Sequence, residues 1–367
     1  MPTKQLPTSA KIKDLEHQAN GLLSDFQRGE MSAYQRIREF HPNLGNLDDS
    51  LIAEESFDVS AARLSIAREY GYRSWAHLSE VVAGSRDLDV RLLHNDRIED
   101  ATFLHALELL DEGNVALLSE FLANHAGLVK QQVFFEGDNY FTDPTLLEFV
   151  AENPTRQGNL PDNIVEIARI ILEAGAKHNQ ASLNSTLMLT ASGSVARQEG
   201  YQITLLGLLC DYGADPIAGI HAALAHGEFD AVRFLMTRGA PLDLSTAAAL
   251  NLQEDVLSLL GEATESQKQL GLALSAMHGR DAVVAMLLEA DADPNRYNPP
   301  GGHSHCTPLH SAAFEGHLET VKILVESGAR IDIGDIHRGQ TALDWADYAQ
   351  HQEIVEYLVS KKSPQTL

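Results

Sequence analysis

The clearest ordering of polar and apolar positions lies in TPLHSAAFEGHLETVKILVESGARID, residues 307–332. A Thr-Pro opening leads into a small, Ala-rich segment, then Gly316, then a second segment. In that second segment Val321, Leu324 and Val325 recur at the three- and four-residue spacing of one helix face. Thr307 suits an N-cap, whose hydroxyl accepts from free N–H groups of the first turn. Pro308 then falls at the first helical position, where its missing donor costs nothing. Ala312 and Ala313 allow the first helix to approach its neighbours closely, and Gly328 offers the left-handed conformation that ends the second. The spacing predicts two short helices joined by a turn. Such a unit cannot bury its own apolar faces, so it must stack on copies of itself.

Copies are present. TALDWADYAQHQEIVEYLV (341–359) repeats the plan a step of 34 later, and LGLALSAMHGRDAVVAMLLEADADPN (270–295) places Gly279 where Gly316 stands, a step of 37. IHAALAHGEFDAVRFLMTRGAPLD (220–243) does the same with Gly227. Gly-Ala endings recur at 175–176, 213–214 and 239–240, with Asp291-Ala292 as a variant. The interval of 26 from Gly213 to Gly239 implies a finger shortened to almost nothing, whereas SGSVARQEG (192–200) reads as an insertion. Residues 246–260 read as a trimmed unit, 145–176 as a unit with a loop inserted at 153–163, and 101–129 as a divergent first unit. The array therefore covers 101–367 in about eight units, with atypical units at its ends. Lys361 and Lys362 suit the polar end of the last helix and the negative pole of its dipole.

Residues 307–313 carry the full T-P-L-H-x-A string of the ankyrin repeat, and the chain resembles that family, whose period is about 33 residues. Thr341, Ala342 and Leu343 match in part, with Asp344 in place of the usual His. The resemblance implies an all-α repeat solenoid. It also implies that partners contact its turn fingers and the exposed side of each first helix, on the concave face.

Residues 1–100 lack the repeat. Helices are expected over 11–28 and 31–40, broken near Gly29, after Ser60 up to Gly71, and after Ser74 up to Gly84. AARLSIAREYGYRSWAHL, with Phe40-His41-Pro42 upstream, resembles a segment that precedes ankyrin repeats in many bacterial proteins. A small helical module can serve as a nucleic-acid-binding head or as a cap that shields the end of the stack; the cap is favoured, because the module is itself acidic.

Composition narrows the function. The chain holds 27 Lys+Arg against 52 Asp+Glu, a formal net charge of −25. Residues 101–300 carry 26 acidic and 10 basic side chains, net −16, and hold most of the excess. That field repels phosphates and argues against nucleic acid as a partner; it favours a protein partner with a basic surface. Two cysteines in 367 residues, Cys210 and Cys306, read as reduced thiols. The opening MPTKQLPTSAKIKDLEHQ lacks the apolar core of a secretory signal, and no run of about 18 apolar residues occurs, so a soluble, cytoplasmic protein away from membranes is expected.

Strings that carry catalysis are missing: there is no phosphate loop, no H-E-x-x-H and no G-x-S-x-G elbow. The rival chemistry is a metal site in GGHSHCTPLH, where His303, His305, Cys306 and His310 fall within eight positions. Against it, the repeat already gives His310 a hydrogen bond to the adjoining turn, and closed sites show better-separated ligand pairs. Asp48-Asp49 and Glu54-Glu55 read as solvated loop charge, and Asp291 with Asp293 lacks the rest of a calcium loop. No catalytic residue, metal or cofactor is expected.

Mapping unit onto unit gives the outward positions. Ser311, Phe314 and Glu315 align with Trp345, Tyr348 and Ala349, with Leu274, Met277 and His278, and with Ala222, Ala225 and His226. The expected partner-binding residues are Phe314, Glu315, Trp345, Tyr348, Met277 and His278, together with His303 and Ser304 on a long, protruding finger.

Overall fold

The computed structural model describes residues 4, 6, 7, 9–41, 44, 47–55, 57–72, 74–84, 93–135 and 140–362, without the Glu54 side chain. Pro42 and Arg73 of the N-terminal signature lie outside the described residues. In chain order the helices are α1 (Ile12–Gln27), α2 (Met31–Phe40), α3 (Asp49–Glu54), α4 (Val59–Glu69), α5 (Trp75–Val82), α6 (Ala101–Asp111), α7 (Val115–Asn124), α8 (Ile164–Glu173), α9 (Gln180–Ser192), α10 (Ser194–Gln198) and α11 (Gln202–Asp211). They continue as α12 (Pro216–Ala225), α13 (Phe229–Thr237), α14 (Leu244–Ala249), α15 (Gln253–Leu260), α16 (Glu265–Met277), α17 (Asp281–Glu289), α18 (Pro308–Phe314), α19 (Leu318–Glu326), α20 (Ala342–Tyr348) and α21 (Gln352–Lys361). The described residues hold isolated bridges at Gln132–Thr145 and Gly334–Thr341 but no strand, so the fold is all-α.

Two compact units make up the chain. One comprises the described residues of Met1–Leu15 and Ala67–Pro241. Here α6 pairs with α7, a 3-10 turn at Leu146–Ala151 with α8, α9 with α11, and α12 with α13. The insertion at 192–200 is the short helix α10, and α12 begins with Asp215 as its N-cap only two residues after Gly213, so the finger there is indeed almost gone. Lys4 pairs with the fully buried Glu69 at 2.7 Å, and Tyr70, Tyr72 and Leu78 are buried nearby in sequence. Buried Arg156 is held by Asp111 and Glu152, each at 2.9 Å, and by the side-chain oxygen of Asn95.

The second unit comprises the described residues of Glu16–Ile66 and Leu242–Leu367. The first helices α14, α16, α18 and α20 touch in series, as do the second helices α15, α17, α19 and α21. Small side chains set the spacing: Ala247, Ala248, Ala276, Ala312, Ala313, Ala342 and Ala346 are all buried between layers. Around them Leu272, Leu287, Leu309, Leu324 and Leu358 are almost fully buried, each contributing about 1.5–3 kcal/mol relative to exposure.

The turn inside each pair places one residue at positive φ: Gly279 at 62°, Gly316 at 83°, but Asn251 at 61° and Gln350 at 64°. The Gly-Ala endings follow the same logic. Gly328 stands at 97° and its variant Asp291 at 66°, while the following Ala329 and Ala292 are buried.

Neighbouring pairs are also tied through their turns. The imidazole Nε2 of His317 lies 3.0 Å from the Met277 carbonyl oxygen, and that of His351 lies 2.9 Å from the Phe314 carbonyl oxygen. Arg280 takes the equivalent position one pair earlier, where its Nε donates to the Ala249 carbonyl at 2.9 Å. Each bond satisfies a carbonyl that the end of a first helix leaves open.

In this unit α2 and the start of α4 form close to where helices are expected, whereas α3 (Asp49–Glu54) stands where no helix is expected. Phe26 meets Tyr34 and Phe57 at ring-centroid distances of 5.7 and 4.9 Å, and Arg63 grips Glu16 with two nitrogens. The expectation of solvated loop charge holds for Asp48, which is exposed before α3, and is corrected for Asp49, which is the first residue of that helix. Asp48 caps α3 by accepting from the Leu51 N–H at 3.1 Å, and Asp49 pairs with Arg38.

Candidate functional site

The Thr-Pro-Leu-His string explains itself in the structure. The Thr307 N–H donates to His310 Nδ1 at 3.3 Å, and the Thr307 hydroxyl lies 2.8 Å from the same nitrogen. With Nδ1 accepting, the proton sits on Nε2, which donates to the Gln340 carbonyl at 3.0 Å in the next finger. His310 thus links one repeat to the next, and burial pushes its pKa down, keeping the ring neutral. In the following repeat Asp344 takes over the capping part, accepting from the Thr341 N–H and hydroxyl, each at 2.7 Å.

The finger between α17 and α18 folds back on itself. Asn298 N–H donates to the Cys306 carbonyl at 2.8 Å, Asn298 Nδ2 to the Ser311 hydroxyl at 3.3 Å, and Ile336 N–H to the His305 carbonyl at 3.0 Å. This closure draws Ser304 inside, where it is 4% exposed, so the expectation that Ser304 protrudes is corrected. His303 is half-buried in the same loop, at a φ of 60°.

The metal reading fares poorly on chemistry. Cys306 is fully buried, and burial pushes its thiol pKa up to about 12. Its sulfur donates to the His303 carbonyl at 3.3 Å, and His310 is committed to its cap. Among the described residues no group of three or more His, Cys, Asp or Glu side chains is arranged to hold a metal ion.

The finger between α19 and α20 is organised by Asp335. Its carboxylate accepts from the N–H groups of His337 at 2.9 Å, Arg338 at 2.7 Å and Gln340 at 3.2 Å, and from Trp345 Nε1 at 3.1 Å. Burial by itself would raise its pKa, but these donors prevail and hold the carboxyl below its ordinary value. The Trp345 ring is thereby fixed edge-on to Phe314, with centroids 5.7 Å apart, and Phe314 stacks on Tyr348 at 6.5 Å. On the other side Trp345 meets His305 at 5.6 Å, and His305 stacks on His337 at 4.9 Å and meets His303 at 6.0 Å. Burial first, then the two neighbouring imidazoles, drive His305 down to about 3, so the His305 ring stays uncharged at neutral pH.

One continuous aromatic row therefore runs from His337 through His305, Trp345 and Phe314 to Tyr348. Its far end is open: Phe314 is 39% and Tyr348 81% exposed, with Glu315 exposed beside them. Trp345 and His278 are half-buried. Met277 aligns with Phe314 but is only 4% exposed, and Leu274 and Ser311 are buried as well, so these three are not outward positions. Helix α16 lies between α14 and α18 and Met277 at its end is buried, whereas the Phe314 ring packs edge-on against Trp345 and stays exposed.

Asp335 and His337 escaped the sequence reading. The signal that could have found them is Asp335 followed by Gly339, which has a φ of 68°: an Asp whose side chain binds backbone N–H groups just ahead is a turn signature.

The family described as "Ankyrin repeats (3 copies)" matches residues 272–366, the stretch that carries this row. The chain is 32% identical to cyclin-dependent kinase 4 inhibitor B of Rattus norvegicus, over 24% of this chain and 89% of that protein. It is 46% identical to ankyrin repeat and SAM domain-containing protein 6 of Mus musculus, over 20% of this chain and 8% of that protein. Identity to probable E3 ubiquitin-protein ligase XBOS33 of Oryza sativa subsp. japonica is 42%, over 23% of this chain and 16% of that protein. The chain thus spans nearly all of the kinase inhibitor but only a small part of the other two. With the repeat grammar, the capping links and these matches together, the chain belongs to the ankyrin-repeat family.

Proposed function

We propose that the protein is a non-catalytic, protein-binding regulator that engages its partner along the open end of the aromatic row. The observation that carries this reading is the exposed Phe314–Tyr348 stack on first helices of adjacent repeats, with Trp345 locked behind it by Asp335. Large rings that are rigidly held and still exposed lose little entropy on binding, which is what interface anchors require. Glu315, His278 and His303 flank the row and complete the contact surface. A relative named as an inhibitor of a protein kinase supports a protein as the ligand.

The excess of acidic side chains over 101–300 suits a basic partner surface and is at odds with nucleic acid. Two free cysteines suit a reducing cytoplasm, and among the described residues no helix is long and apolar enough to cross a membrane. Residues 101–367 are read as the array of about eight degenerate units, and residues 1–100 as a helical module of the bacterial type that precedes such arrays.

Affinity capture with mass spectrometry tests the reading, comparing wild type with Phe314→Ala/Tyr348→Ala. Both side chains are exposed, so the variant keeps its fold. Loss of a protein that wild type retains is expected; an unchanged set of captured proteins places the contact elsewhere and ends the proposal.

A further inference from the structure

The closed end of the aromatic row is not bare. Phe40, the last residue of α2, lies against His337 with ring centroids 6.2 Å apart. Asp49, the first residue of α3, has a carboxylate oxygen 4.0 Å from Arg296 Nη2 in the preceding finger. These contacts belong to one compact unit, and they join two separate fingers to one N-terminal element.

That element is braced for the purpose. Arg38 pairs with Asp49, donates from Nε to the Leu47 carbonyl at 3.1 Å, and donates from Nη1 to Gln35 Oε1 at 3.0 Å. The end of α2 and the start of α3 are thus held as one piece that presents an aromatic ring and a carboxylate side by side. The ring continues the row: Phe40, His337, His305, Trp345, Phe314 and Tyr348 follow one another at centroid distances of 6.2, 4.9, 5.6, 5.7 and 6.5 Å.

We propose that the partner's seat extends from the open end of the row onto its finger end, and that the ends of α2 and α3 cover that finger end until a partner segment bearing an aromatic side chain and a carboxylate replaces Phe40 and Asp49. The proposal rests on the aromatic row being that seat. The docking is suited to exchange. The ion pair is long and its two side chains are about a third exposed, and the ring contact is a single one. Together such contacts are worth about tenfold in the docking equilibrium, enough to compete with a partner and too little to exclude one.

The test uses the full chain and its Phe40→Ala/Arg296→Glu variant, with a labelled peptide of residues 31–54 as the probe. The variant removes the ring on one side and reverses the charge on the other, leaving α2 free to leave the fingers. Amide exchange in Met31–Phe40 should rise about tenfold while that in Leu318–Glu326 stays unchanged. The peptide should bind Phe40→Ala, whose fingers are intact and whose own element keeps only the ion pair, about threefold tighter than wild type, the ring's share of the tenfold. Equal protection of α2 in wild type and variant, or equal peptide affinity for Phe40→Ala and wild type, overturns the proposal. A partner lost with Tyr348→Ala yet captured equally by wild type and Phe40→Ala removes the masking and keeps the seat. A partner indifferent to Tyr348→Ala removes both.

Discussion

The most discriminating stability test exploits two glycines that share a conformation but not a neighbourhood. Gly316 stands at a φ of +83° and Gly328 at +97°, so alanine at either meets the left-handed penalty of about 1–2 kcal/mol. A Cβ on Gly328 points into open space, with no atom within 4 Å. A Cβ on Gly316 would lie 2.6 Å from Cε1 and 2.9 Å from Nδ1 and Nε2 of His351. That imidazole cannot move away freely, because its Nε2 is bonded to the Phe314 carbonyl at 2.9 Å. Displacing it forfeits a further ~1 kcal/mol for the hydrogen bond. Gly328→Ala should therefore cost about 1–2 kcal/mol and Gly316→Ala about 2–3 kcal/mol. His351→Ala alone should cost ~1 kcal/mol, and the double variant Gly316→Ala/His351→Ala should fall short of the sum by ~1 kcal/mol, since the same hydrogen bond cannot be lost twice. Urea titration followed by tryptophan emission reads the effect, because Trp345 sits in the affected repeats and Trp75 is the only other indole. Equal costs for the two glycines, or strict additivity with His351→Ala, would refute the idea that the imidazole bridge stitches repeat to repeat.

Three further outcomes follow from the same geometry. Gln350→Gly and Asp291→Gly relieve positive φ at non-glycine positions and should each stabilise by about 0.5–1 kcal/mol in the same titration, Asn251→Gly by less because Asn tolerates that region; destabilisation by Gln350→Gly would show that its side chain matters more than its backbone. His305, with an ordinary pKa of 6.5 and about 3 when folded, binds its proton only in the unfolded chain between those values. Its contribution is full above pH 6.5 and declines as pH falls toward 3, by up to ~1.4 kcal/mol per pH unit, so His305→Gln should flatten the loss of urea midpoint between pH 7 and pH 5; an unaltered slope counts against a neutral His305. Arg156→Met leaves Glu152 and Asp111 without their buried cation and should cost about 3–5 kcal/mol, read as a drop in the thermal midpoint, and a loss below ~1 kcal/mol would mean the carboxylates find water instead.

The repeat was legible because its grammar is local. Thr307, Pro308 and Gly328 each occupy a backbone position whose geometry few residues satisfy, so residue type and spacing read directly as caps and turns. Even Asp291 could be aligned with the Gly-Ala endings, and its φ of 66° explains why the alignment holds. Where the local code was ambiguous the reading failed. Asp49 looks like loop charge until its donor is known; it opens α3 and answers Arg38. The segment after Thr145 carries the same threonine-to-acid cap as the helices do, yet it closes as a 3-10 turn, and the sequence offers no feature that marks the difference.

The site was legible only as far as periodicity reaches. Aligning units identifies which face of a first helix a position occupies, and this brought Phe314, Trp345 and Tyr348 to one place. It says nothing of what the next finger covers, and so Met277 and Ser304 were taken as exposed when enclosure by neighbours decides otherwise. The contact of Phe40 with His337 lies further still from any local code, because the two are almost 300 residues apart and belong to different patterns. Its consequence is that an aromatic row built by the last repeats is completed by a residue outside them. Two ends of the same surface then differ in kind: Tyr348 stacks on Phe314 and is 81% exposed, and Phe40 arrives on an element that the chain can withdraw. A partner reading that surface meets one end ready and the other already occupied, so its affinity depends on residues in α2 and α3 that no mapping of one repeat onto another would nominate.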